Sequence, residues 1–276
     1  MNSPSAISPV KLLFLYALVW IALTAEFPLA LTTLTAAFVF FYVRSKSRDF
    51  FSWLFLTAII AFQLFFKEYF IAANHHFLLV FMLTSTLLFP EITKKGELDK
   101  GICRFLLSAV ILISVLQKLL VPEFLSGESF FLRLNIAAFL DSLAIFPFWA
   151  EPVQIESQNW EAIKQLSLIH PENGGAIFLT PIFQSARWLS IVLPYGILIS
   201  EFFVGIMIAL YPQRLVTHVS IIGMLVGVFI FRPEAGFLTL LCVLAMTLTE
   251  SYRIRRIYLF LSSLFLGLIL TGLGIL

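Results

Sequence analysis

The sequence predicts an all-α fold: a polytopic transmembrane helix bundle of about nine spans plus an interfacial helix. Three observations lead there. The 276-residue chain is 60% hydrophobic and only 12% charged, where a soluble domain is about one-quarter charged. Its apolar runs are continuous and do not alternate, which selects helices over the closed barrel that is the other way to satisfy backbone polar groups in lipid. Its basic residues fall unevenly between the connections, as the positive-inside rule requires of a membrane protein.

With about 20 residues needed per crossing, helices are expected over roughly 10–25, 27–43, 51–72, 77–91 and 102–121, and after the middle of the chain over roughly 186–210, 214–231, 235–249 and 257–275. Lys11, an apolar stretch and Leu23-Thr24-Ala25 have the form of a signal peptide, read here as a retained first helix. Pro28 suits the first turn of the second span. Residues 130–149 are apolar enough to cross but carry Arg133 and Asp141. If that piece lies along the interface, one side receives Lys11, Arg44, Lys46, Arg48, Lys94, Lys95, Lys100, Arg104, Arg214, Arg253, Arg255 and Arg256. The other side then receives only Arg133, Lys164, Arg187 and Arg232. The first side is therefore cytoplasmic, with the N-terminus inside and the C-terminus outside. Residues 150–184 form an acidic outer-face loop within a single membrane domain, 1–276. The loop carries Glu151, Glu156, Glu161 and Glu172, and Trp149, Trp160 and Trp188 bracket it.

The net charge of +2 and the absence of a long Lys/Arg run give no reason to expect nucleic acid as a partner. Cys103 and Cys242 lack metal-ligand spacing and read as buried free thiols, and no metal site is expected.

Charge inside an apolar run is costly and marks candidate sites. Lys67 and Glu68 fall near the outer end of the third span, and Gln63 shares a helix face with Lys67. Asn74 and His75 occupy the turn that follows. Lys118 lies 16 residues beyond Ile102, or roughly 24 Å along the fifth span. Topology thus puts Lys118 and Asn74-His75 on the outer side at similar depth. An amine held among apolar groups gives up its proton more readily, and a neutral amine serves as a general base. A neighbouring histidine could stabilise a developing anion. Snorkelling or an ion pair is the plain alternative for each lysine. Glu201 is the deepest carboxylate, suited to pairing with a buried cation or to staying protonated. His218 lies one turn after Arg214, closer to the inner face.

Asn74-His75, then Gln117-Lys118-Leu119 leading into Pro122-Glu123-Phe124-Leu125-Ser126-Gly127-Glu128, and later Ser200-Glu201-Phe202-Phe203 with Arg214 and His218, form an ordered set. In that order they resemble the membrane domain of the vitamin K-dependent gamma-carboxylase family and its bacterial HTTM relatives. The resemblance covers about two-thirds of the chain by this matching of motifs. It implies an integral protein of a bacterial inner membrane, with Lys118 as the base that deprotonates a reduced naphthoquinone and His75 assisting. Asn74, Lys67, Glu68, Glu201 and His218 would then be substrate-binding candidates, and a quinone the implied ligand. The chain departs from that pattern in having no large soluble part after the membrane domain, so carboxylation of protein glutamates is not expected. The competing expectation is a non-catalytic subunit of a larger membrane assembly, its 31 phenylalanines meeting lipids and other membrane subunits.

Overall fold

A computed structural model describes residues 8–24, 50–66, 74–93, 95, 97–136, 150–168, 179–231 and 234–270. The described residues are all-helical, with no strand among them. In chain order the helices are α1 (Pro9–Thr24), α2 (Phe50–Phe66), α3 (Asn74–Leu88), α4 (Pro90–Thr93), α5 (Lys100–Leu119) and α6 (Pro122–Leu125). They continue as α7 (Glu128–Asn135), α8 (Ala150–Leu168), α9 (Ala186–Leu210), α10 (Leu215–Phe231), α11 (Ala235–Leu248) and α12 (Tyr252–Leu270). The expected span over 27–43 lies outside the described residues, as do Lys67, Glu68 and Asp141.

Two helices, α5 with 20 residues and α9 with 25, are long and apolar enough to cross a membrane. Most of their apolar side chains are not covered by protein, and Phe105 and Ile199 are each 70% exposed. A core helix of a soluble protein would bury that surface. The other apolar helices are shorter than these two. The run expected over 235–249 becomes the 14-residue α11, about 21 Å long at 1.5 Å per residue. The contacts divide the chain into two compact units, Met1–Val110 with Val204–Leu276, and Ile111–Phe203.

In the first unit α11 is the core. It packs on α1, α3, α10 and α12, and every residue from Leu238 to Leu248 is buried. A helix apolar on all sides is stable only when sheathed in this way. Phe14 of α1 meets Trp53 of α2 edge-on at 5.4 Å, and Trp20 meets His76 of α3 at 4.4 Å. At the other end of α11, Arg255 donates to both carboxylate oxygens of Glu97 at 2.7 Å and reaches the Met246 carbonyl. Lys100 pairs with Glu250 at 3.1 Å nearby in the chain.

The second unit contains α6, α7 and α8. The segment expected as an acidic loop begins as a helix, α8, whose Glu156 is buried and accepts from the Trp160 indole N–H at 2.9 Å. Two buried asparagines pin the extended residues that precede α9. The Asn159 amide donates to the carbonyls of Asn135 and Thr180, and its oxygen accepts from the Thr180 N–H, each at 2.9 Å. The Asn135 oxygen accepts from the Ile182 N–H at 2.8 Å. Buried backbone polar groups outside regular structure need such partners. Asn159→Ala is expected to cost about 1–2 kcal/mol, since it leaves the buried Asn135 carbonyl without its donor while the groups of exposed Thr180 can turn to water. Faster hydrogen exchange at the Thr180 amide, with Ile182 less affected, checks the assignment.

Candidate functional site

The site lies in the second unit and is built by α5, α6 and α9. Pro122 forces the preceding Val121 into extended backbone (φ −105°, ψ 105°), which ends α5 just after Leu119 and starts the single turn α6. Gly127 then adopts a left-handed conformation (φ 81°) and turns the chain into α7. That glycine is buried against the backbone of Ser190 on α9: a methyl group in its place would lie 2.7 Å from the Ser190 carbonyl carbon. The corner after Lys118 is thereby fastened to the helix that carries Glu201.

Within this frame the Lys118 ammonium forms an ion pair with Glu201, contacting both carboxylate oxygens. Glu201 is only 5% exposed, while the Lys118 side chain keeps some contact with the exterior. The Phe124 ring lies 5.8 Å from the ammonium, at the outer limit of a cation–π contact. Phe124 in turn meets Phe130 edge-on at 5.2 Å. An apolar corner thus encloses one cation and one anion. Such a pair persists out of water only because each charge answers the other.

The sequence expected Lys118 and Glu201 as separate candidates, and the structure joins them. Phe124, quoted for its place in a motif, proves to be part of the site. One deep carboxylate and one lysine near the end of another long apolar helix were the available signal, since pairing is the cheapest outcome for both. Asn74 and His75 are the first two residues of α3, in the first unit, and their side chains lie outside the described residues, as do Lys67 and Glu68 entirely. His218 is fully buried in the first unit, its Nδ1 3.0 Å from the Tyr258 hydroxyl. Tyr258 also approaches the His218 carbonyl at 3.4 Å. Sequence reading passed over Tyr258, 40 positions away. No group of three or more potential metal ligands occurs among the described residues.

An ion-paired ammonium has no lone pair to offer. For Lys118 to act as a base its proton must first pass to Glu201, a short transfer within the pair. Comparison with protein-family models, with characterised proteins and with solved structures finds no match.

Proposed function

We propose that the chain is an integral membrane protein of about nine spans that binds a quinone or similar lipid beside the Lys118–Glu201 pair, with Lys118 as base. The observation that carries this reading is the pair itself: a carboxylate 5% exposed, matched to a lysine beside an aromatic ring, on the two longest apolar helices. Proton transfer from the Lys118 ammonium to Glu201 leaves a neutral amine. That amine takes the hydroxyl proton of a reduced quinone, so the net proton moves from quinol to Glu201 and the oxyanion rests beside the restored ammonium. Electrostatic stabilisation of that oxyanion in an apolar corner is the main catalytic term.

The sidedness proposed from charge draws support from the pairs Lys100–Glu250 and Arg255–Glu97. They join the connections before α5 and before α12, both of which the basic-residue count puts on the cytoplasmic side. A purified sample titrated with a naphthoquinone, read by quenching of tryptophan fluorescence, tests the function. Lys118→Ala is expected to weaken binding about tenfold, the loss of one charge-assisted hydrogen bond, and His75→Ala tests the assisting role expected of that residue. Unchanged binding by folded Lys118→Ala protein rules the reading out. The second reading, a non-catalytic subunit of a membrane assembly, rests on the exposed apolar faces of α5 and α9. It predicts partner proteins that co-purify and that a charge placed on the exposed face, Phe105→Glu, releases, while Lys118→Ala retains them.

A further inference from the structure

The strongest unexplained feature lies in the first unit, away from the Lys118–Glu201 pair. Tyr16 of α1 is 1% exposed and its hydroxyl has no hydrogen-bond partner among the described residues. A buried hydroxyl left in that state costs free energy, so its place in the fold needs a reason. The hydroxyl points at the start of α11. A methyl on Gly236 would lie 2.9 Å from the Tyr16 oxygen, with the ring carbons behind it at 3.8 and 4.0 Å. Because a Cβ leans toward the N-terminal end of its helix, the hydroxyl sits beside the open first turn of α11. Ala235 and Gly236 are the first two residues of that helix, and their N–H groups have no acceptor within it. Glu234 occupies the N-cap without a side-chain bond to the turn.

Three donors thus lie at this turn: the N–H groups of Ala235 and Gly236 and the Tyr16 hydroxyl. They call for an acceptor oxygen. The Glu234 carboxyl group at the cap disfavours an anion, although a bare helix N-terminus would welcome one. Tyr16, Ala235 and Leu238 are buried among apolar groups, which favours an uncharged molecule. Glu234, Gly236 and Phe237 are half-exposed, so the turn keeps an open side. We infer that the α11 N-terminus and Tyr16 form a binding site for an uncharged carbonyl oxygen, of the kind a lipid ester presents. Gly236 is the residue that lets the phenol reach the turn.

The test uses the full chain in dodecyl maltoside, which has no carbonyl group, stripped of native lipid. Thermal stabilisation is measured with a diester phosphatidylcholine, with its dialkyl-ether analogue, and with 2-undecanone as a free ketone. The ester is expected to bind about five- to tenfold more tightly than the ether, the worth of one to two shared hydrogen bonds. In Tyr16→Phe that preference falls to about twofold or less, the loss of one hydrogen bond, while the variant remains folded, since the substitution removes only an unpartnered hydroxyl. Stabilisation by the ketone as well assigns the site to carbonyl compounds at large, and stabilisation by the ester alone assigns it to membrane lipid; either supports the proposal. Equal binding of ester and ether by the parent protein, or an ester preference intact in Tyr16→Phe, overturns it. Naphthoquinone binding at Lys118 is a separate measurement, so failure of one site is distinguishable from failure of the other.

Discussion

Lys118→Met is expected to destabilise the protein by about 3 kcal/mol, whereas Lys118→Met combined with Glu201→Leu returns stability to within about 1 kcal/mol of the parent. The reason is where each charge is left. Glu201 is 5% exposed and cannot reach water once its lysine is gone. Loss of a partner from a buried pair costs about 3–5 kcal/mol because the remaining charge is uncompensated; partial exposure of the Lys118 side chain puts this pair at the lower end. The reverse change, Glu201→Leu alone, costs less, because the partly exposed lysine can extend its ammonium to the exterior along a flexible stem. Chemical or thermal unfolding in detergent, run on the two single variants and the double, reads the coupling directly. A Lys118→Met protein as stable as the parent would show that the pair is not formed in the folded protein. The same double variant separates structure from function: it is expected to fold, and it lacks both groups proposed to move the proton. If it binds naphthoquinone as the parent does, the pair has a structural role alone.

How much of this could be read beforehand depends on whether a feature is local. α5 and α9 were legible because a long apolar run is its own evidence: membrane-length helices need no distant partner to be recognised. Lys118, Glu201 and His218 stood out for the same reason, as polar residues inside such runs. Their partners did not. The approach of Glu201 to Lys118 spans 83 positions, and that of His218 to Tyr258 spans 40, and such pairings depend on packing that composition does not encode. α11 shows the opposite limit. Its sequence looks like a lipid-facing span, yet 12 of its 14 residues are buried against other helices. Apolarity alone does not say whether the neighbour is lipid or protein. α8 was read as loop because its Glu residues broke the apolar run, and a helix without a continuous apolar run or stripe leaves a weaker signal than a crossing. Tyr16 and Gly236 carried no signal at all, since a lone tyrosine in an apolar run is ordinary.

Gly127→Ala is expected to cost more than about 4 kcal/mol, beyond the range of most single substitutions. Two effects add. The left-handed backbone at φ 81° costs an alanine about 1–2 kcal/mol. The larger effect is close approach: the new methyl group would press on the carbonyl of Ser190, a backbone atom within α9 that cannot rotate away. Gly127→Asn separates the two. Asparagine tolerates the left-handed region but brings the same Cβ, so it is expected to be nearly as damaging as alanine. If asparagine restores most of the stability, backbone strain and not the contact with α9 is what the glycine relieves. The functional consequence follows from the same contact. Moving the corner away from α9 shifts α6, and with it Phe124, relative to Glu201. The folded fraction of Gly127→Ala is therefore expected to bind naphthoquinone more weakly than the parent even where Lys118 and Glu201 are intact. A glycine with no chemistry of its own then fixes where Phe124 stands relative to the ion pair.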